Sequence, residues 1–228
     1  MKPEALKKSI RSYVIRGGRI TDSQKKGFDR WWPNIGLSLH DGRIDLREIF
    51  PRPNDCVLEI GFGMGDSLFE MASVDKDKNF IGVEVHPPGM GRIIHQVGLA
   101  ELDNFKAYLA DAKDVLEHCI PDESLERVQI YFPDPWHKKK HNKRRIVQTE
   151  FMNLIVTKIK PGGTLHLATD WENYAEYMMA VLSPLDGIEN CAGPQQFSER
   201  PEYRPITKFE KRGTRLGHGI WDIIFRRL

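Results

Sequence analysis

The sequence predicts an α/β domain with a mostly parallel sheet, helices on both faces and a C-terminal strand running antiparallel. Three observations carry this expectation. From Cys56 onward, short β-branched runs alternate with longer amphipathic stretches, the pattern of βαβ units. A glycine-rich turn, Gly61-Phe62-Gly63-Met64-Gly65, directly follows the first of those runs. The chain has 228 residues, 40% hydrophobic and 29% charged, enough for one full core and short for two.

Residues 1–50 are rich in Lys, Arg, Gly and Pro, with Arg11, Arg16, Arg19, Lys25, Lys26 and Arg30 ahead of Trp31-Trp32-Pro33. They read as a basic N-terminal extension on or beside the main domain, 51–228. Strands are expected at 56–60, 80–85, 105–109, 128–132 and 164–168, where the runs are apolar and short. Helices are expected between them at 67–74, 91–102, 112–118 and 144–159, the last stopped by the breaker Pro161-Gly162-Gly163. At 219–227 Trp221, Ile223 and Phe225 alternate with Asp222 and Ile224, which suits a final antiparallel strand. There is no internal repeat.

Composition narrows the function. A net charge of +2, from 34 basic and 32 acidic side chains, does not by itself imply a nucleic-acid partner, so the distribution of charge matters more than its sum. Cys56, Cys119 and Cys191 are odd in number and far apart, fitting neither a disulfide framework nor a metal site, and read as thiols in a reducing compartment. Met1 to Gly18 hold no continuous apolar run that could serve as a signal peptide, and no later window approaches the roughly 20 apolar residues that a spanning helix needs. A soluble cytoplasmic protein is expected, without a metal, as a monomer or a homodimer.

A glycine turn after a first strand lets the backbone approach a nucleotide closely, and Gly61, Gly63 and Gly65 are spaced for it. Glu59, two residues before the first of them, disfavours a pyrophosphate and favours a cationic ligand such as S-adenosylmethionine. Glu84, at the end of the second strand, can accept from ribose hydroxyls, and Asp111, beyond the third, from an adenine amino group. Alternatively, these acids cap helix N-termini.

The fourth strand runs into Phe132-Pro133-Asp134-Pro135-Trp136, whose prolines stiffen a turn that would fix the direction of Asp134. Trp136 could stack on a base. Lys138-Lys139-Lys140-His141-Asn142-Lys143-Arg144-Arg145 follows at once, and a phosphate backbone bound there would deliver a base to Asp134. A merely solvated basic run is the plainer alternative. Thr169-Asp170-Trp171 lies after the fifth strand, where Asp170 could equally cap a helix starting near Glu172. Thr207-Lys208-Phe209-Glu210, ahead of Lys211-Arg212-Gly213, joins a hydroxyl, an acid and cations.

In order along the chain, Arg11-Ser12-Tyr13-Val14, the stretch 59–65, Gly82-Val83-Glu84-Val85-His86, the stretch 132–145, Thr169-Asp170-Trp171, Thr207-Lys208-Phe209-Glu210 and Gly217-His218-Gly219-Ile220-Trp221-Asp222 resemble the bacterial tRNA (guanine-N7-)-methyltransferase family. Pro87-Pro88 departs from it, since one proline is expected there. The resemblance implies a Rossmann-like class I S-adenosylmethionine-dependent methyltransferase fold and methylation of guanine at position 46 in the variable loop of tRNA, giving N7-methylguanosine. It implies that Glu59, Glu84, Asp111 and Asp134 line the S-adenosylmethionine site and that Asp134 is also catalytic. Lys138, Asp170, Thr207, Lys208, Phe209 and Glu210 would contact substrate. Lys140, His141, Asn142, Lys143, Arg144 and Arg145 would contact RNA. Rival readings are an RNA methyltransferase acting on an exocyclic amine, a small-molecule methyltransferase and a noncatalytic RNA-binding module.

Overall fold

A computed structural model describes residues 12–13, 21–207, 210, 217 and 219–228. In chain order the strands are β1 (Gly36–Leu37), β2 (Asp55–Ile60), β3 (Lys78–Glu84), β4 (Phe105–Leu109), β5 (Leu125–Tyr131), β6 (Ile159–Thr169), β7 (Ile188–Asn190) and β8 (Trp221–Arg227). The helices are α1 (Asp22–Ile35), α2 (Leu46–Ile49), α3 (Asp66–Val74), α4 (Pro87–Leu99), α5 (Ala112–His118), α6 (Thr149–Lys158) and α7 (Glu172–Leu182). The strands form one sheet in the order β1-β4-β3-β2-β5-β6-β8-β7, parallel except where β8 pairs with β6 and β7 with β8. The order reverses between β2 and β5, and a crevice opens at their carboxyl ends.

Both faces of the central strands are buried, so apolar side chains point each way. Leu58, Ile60, Ile81, Val83, Val128, Ile130, Leu165 and Leu167 meet Val115 and Leu116 of α5, Met152 and Ile155 of α6 and Met178 of α7. On the opposite face Val57, Phe80, Phe105 and Ala107 meet Leu68 and Met71 of α3 and Ile93, Ile94 and Val97 of α4.

The alternation of runs found every expected strand, and the ends were adjusted by packing. Pro161-Gly162-Gly163, expected as the turn that stops a helix, lies inside β6 as a bulge. Leu125 pairs with Ile159 but Arg127 with Thr164, and Gly162 takes φ 80° to absorb the extra residues. A Cβ on Gly163 would lie 2.6 Å from the Glu126 carbonyl, so the approach to β5 needs a glycine. The helix expected at 144–159 divides into a 3-10 turn, Lys139–Arg144, and α6. Between them Val147 is pulled into the core and Arg145 adopts an extended ψ of 135°. Helix α4 begins earlier than expected, at the Pro87-Pro88 pair, where a missing N–H and a fixed φ suit the first turn.

Sequence patterning missed α1. Thr21 caps it in a reciprocal box with Gln24, and the helix rests on α4 at two glycines. A Cβ at Gly91 would lie 2.9 Å from Gln24, and one at Gly98 2.2 Å from Trp31. Residues 21–50 thus contribute a packed helix, the edge strand β1 and the core side chains Ile44 and Phe50.

Candidate active site at the carboxyl ends of the strands

A cavity of about 950 Å³ occupies the crevice, lined by Glu59, the glycine turn, Glu84, Asp111 and Asp134, with Lys143, Arg144, Arg145 and Thr207 also on its walls. The sequence-predicted donor residues therefore converge. Lys138 and Asp170 fall outside the lining, although Asp170 follows β6 beside the turn that follows β5. Lys208 and Phe209 lie outside the described residues, as do Arg11, Val14, Lys211, Arg212, Gly213 and His218.

The glycine turn owes its composition mainly to backbone angles. Gly61, Gly63 and Gly65 have φ of 74°, 61° and 79°, a region unfavourable to side chains. A Cβ at Gly61 or Gly63 would meet no protein atom within 4 Å, leaving that backbone bare towards the cavity. Helix α4 presses on the turn from behind, where a Cβ on Gly89 would stand 1.9 Å from the Gly63 carbonyl oxygen. Gly89→Ala should therefore displace the turn, lowering Tm by an amount equivalent to about 1–3 kcal/mol and weakening donor binding. Thermal melts and calorimetric titration would check both effects.

Glu84 holds this turn to β3. Its carboxylate accepts from the backbone N–H of Gly63 at 2.8 Å, of Val85 at 2.6 Å and of His86 at 3.0 Å. Asp111 accepts from the Lys113 N–H at 3.0 Å and caps α5, so the capping alternative holds for one of its oxygens while the residue also lines the cavity. Asp170 forms no cap, because Trp171 occupies the N-cap of α7 without a side-chain bond.

Glu59 is the electrostatic centre of the floor. It is 2% exposed and accepts from Gln129 Nε2 at 2.7 Å. Burial pushes its carboxyl up to about 7, against the smaller opposing pulls of Gln129 and Arg127. A buried acid held near neutrality, facing a cavity, is a site for a positive charge. With the bare glycine turn, this donor set fits S-adenosylmethionine, which carries both a cationic sulfur and an ammonium group.

Asp134 is exposed at the cavity mouth, with no hydrogen bond or ion pair to a described residue. Its turn is built under strain, since Phe132 and Trp136, at either end, have φ of 51° and 46°. Non-glycine residues in this region cost on the order of 1–3 kcal/mol each and persist only where the surroundings hold them. Phe132 N–H donates to the Ala168 carbonyl at 2.7 Å, and Trp136 Nε1 to the Ser12 carbonyl at 3.2 Å.

Arg145 is the third support. Expected to contact RNA, it is 3% exposed, donates from Nε to the Pro135 carbonyl at 2.9 Å, and lies 4.7 Å from the centres of both the Tyr174 and Tyr177 rings. Its guanidinium braces the turn. The rest of the run faces outward: Lys138, Lys139, Lys140 and Lys143 are exposed and His141, Asn142 and Arg144 half-buried. Arg144 lies 5.1 Å from the Trp136 ring centre. Glu210, expected to contact substrate, is largely buried against Arg204, with Oε2 accepting from Nη1 at 2.6 Å. The Thr207 hydroxyl accepts from the Glu210 N–H at 3.1 Å.

Known proteins share both sequence and architecture with this chain. A family model described as "Putative methyltransferase" matches residues 53–223. A tRNA (guanine-N(7)-)-methyltransferase of Saccharophagus degradans is 61% identical over 227 residues, covering 100% of this chain and 99% of the relative. One of Alcanivorax borkumensis is 53% identical over 220 residues, covering 96% and 92%. Among solved structures, the aminoglycoside resistance methyltransferase NpmB1 shares the fold with a TM-score of 0.54 at 18% identity, over 84% of this chain and 94% of its own. The 16S rRNA methyltransferase KamB does so with a TM-score of 0.56 at 13% identity, over 94% and 99%.

Proposed function

The chain belongs to the tRNA (guanine-N(7)-)-methyltransferase family, and from that premise we propose that it methylates guanine N7 at position 46 in the variable loop of tRNA, forming N7-methylguanosine. S-adenosylmethionine is the donor. The observation that carries the reading is the juxtaposition of Glu59, buried on the cavity floor, with Asp134, held exposed at its mouth on a braced turn. The division into a basic segment, 1–50, and a methyltransferase domain, 51–228, belongs to the same proposal, as does a cytoplasmic site of action. No helix among the described residues is long and apolar enough to cross a membrane.

Bound S-adenosylmethionine supplies a methyl group on a cationic sulfur, which a ring nitrogen's lone pair can take without first losing a proton. The protein's task is then alignment and charge stabilisation. Glu59 sets a negative charge at the donor end, while Glu84 fixes the glycine turn and Asp111 offers its uncapped oxygen. Asp134 and Asp170 accept from the N1 and amino donors of guanine and stabilise the positive charge that develops on the base. Neither needs to remove a proton. Lys138, Thr207, Lys208, Phe209 and Glu210 complete the substrate site in this proposal.

Lys140, His141, Asn142, Lys143 and Arg144 contact the phosphate backbone, and Arg145 acts through the turn it braces. Replacing Lys139, Lys140 and Lys143 together with Gln should weaken tRNA binding and flatten its log–log salt dependence by about 0.7–0.9 for each phosphate no longer neutralised, with donor affinity unchanged. Filter binding over a salt series measures this. The reaction is tested by incubating the protein with unmodified tRNA and labelled S-adenosylmethionine, then mapping the modified nucleoside. N7-methylguanosine confined to the variable loop is the expected result, and a methylated exocyclic amine would favour the rival chemistry.

A further inference from the structure

The face of the sheet that carries Glu59 is polar across three neighbouring strands. Glu59 of β2, Gln129 of β5 and His166 of β6 stand directly beside one another in register. Along β5 the residues of that face are Arg127, Gln129 and Tyr131, because side chains alternate. Their hydrogen bonds form an unbroken line. Gln129 Nε2 donates to Glu59 at 2.7 Å, Tyr131 Oη to Gln129 Oε1 at 3.0 Å, and Tyr131 Oη also lies 3.0 Å from His166 Nδ1. His166 Nε2 is 2.7 Å from Asp222 Oδ1, which with Oδ2 accepts from Arg204 Nε and Nη2 at 2.7 and 2.8 Å. Arg204, fully buried, reaches Glu210 at 2.6 Å.

We propose that this relay couples the donor end of the cavity to Thr207 and Glu210, with Tyr131 and Arg204 as positioning residues for methyl transfer. The proposal rests on reading Glu59 as the donor carboxylate and 207–210 as part of the substrate site. Its physical basis is a shared proton. The Asp222 carboxylate faces Nε2, so a neutral His166 carries its hydrogen there and leaves Nδ1 as an acceptor. Burial, the largest influence, holds the imidazole below its ordinary pKa despite Asp222, which keeps it neutral. Tyr131 therefore shares one hydrogen between two acceptors, Gln129 Oε1, which also accepts from Arg127 Nε at 3.1 Å, and His166 Nδ1, which the Tyr203 hydroxyl also approaches at 3.1 Å. Above about pH 7, where Glu59 is already ionised, a cation beside it draws on the carboxylate and loosens its hold on the Gln129 amide. That makes Oε1 a weaker acceptor and favours the bond to His166. Hydrogen bonds in a buried chain polarise one another, so the change reaches Asp222 and the Arg204–Glu210 pair. A cover held only for stability could use apolar side chains of similar volume at less desolvation cost.

The test is the coupling itself, measured as tRNA affinity with and without saturating sinefungin, which keeps a positive charge near the methyl position. In the wild type sinefungin should change the tRNA Kd by about fivefold or more, with the reciprocal effect on its own affinity. S-adenosylhomocysteine, lacking that charge, should have the smaller effect. Tyr131→Phe, which removes one hydroxyl from the middle of the relay, should reduce the sinefungin factor to below about twofold while the protein still binds each ligand alone. Tyr108→Phe, at a buried phenol on β4 away from the relay, should leave it intact. Arg204→Lys keeps the charge but gives up the two-point contact with Asp222, and carries the same expectation should Tyr131→Phe fail to fold. A wild-type factor of one, or an undiminished factor in the folded relay variant, overturns the proposal. Failure of the wild type to bind donor or tRNA overturns the reading of the site and the relay with it, whereas normal methyl transfer with unchanged coupling overturns the relay alone.

Discussion

Asp134→Asn should leave the protein folded and able to bind S-adenosylmethionine and tRNA, yet slow methyl transfer by about 10²–10³-fold, the effect of removing one preorganised electrostatic group. The side chain is exposed and forms no described hydrogen bond or ion pair, so replacing it disturbs no packing and breaks no brace. Asn keeps the shape and one acceptor but loses the charge that opposes the positive charge forming on guanine. Because that charge exists only as the bond forms, the loss should appear in kcat and little in binding. Single-turnover rates, with separate titrations of each ligand, would test this. Full turnover with both affinities intact would remove Asp134 from the chemistry.

Glu59→Gln should separate stability from function. In the wild type the carboxyl, raised from 4.5 to about 7 by burial, must be ionised to attract a cationic donor. Donor affinity should therefore rise with pH towards about 7 and level off above it, with a proton released on binding below that value. Ligand-free stability runs the other way. Between 4.5 and about 7 the native protein keeps a proton that the unfolded chain has lost, so stability falls as pH rises through that window. Gln cannot ionise but still accepts from Gln129. The variant should melt higher than wild type at pH 8, bind donor about 10–100-fold more weakly, as expected when a buried charge pair loses one partner, and show a flat pH profile. Calorimetry in buffers of different ionisation enthalpy would count the proton.

The central strands and the glycine turn were legible because their signals are local: an apolar run, a breaker, a positive-φ glycine. Helix α1 was hidden because Lys25, Lys26 and Arg30 made its segment read as a charged tail, while the side that meets α4 does so at two glycines that only the fold brings opposite it. The capping box of Thr21 and Gln24 was the signal available to find it. Arg145 looked like one more cation in a basic run, and nothing in its neighbours distinguishes it from Arg144. Its role comes from Pro135, Tyr174 and Tyr177, two of them far along the chain. The polar face was half visible, since Arg127, Gln129 and Tyr131 alternate with Val128 and Ile130. In an exposed strand that pattern means a wet face. Only the sheet order, which buries β5 between β2 and β6, turns it into a polar interior.

Over β2, β3 and β4 the sheet is roofed by helices, whereas Tyr203 and Arg204, from irregular chain, reach the polar face of β5, β6 and β8. The two roofs obey different force laws. Apolar packing tolerates a small slide because each atom exchanges one weak neighbour for another, and the cost grows gradually. The Arg204 fork loses its alignment once it leaves the plane of the Asp222 carboxylate, and the energy falls steeply with angle. Arg204 and the two carboxylates it grips are therefore seated in steps, like a latch with numbered positions, while the helical roof over β2, β3 and β4 can yield smoothly.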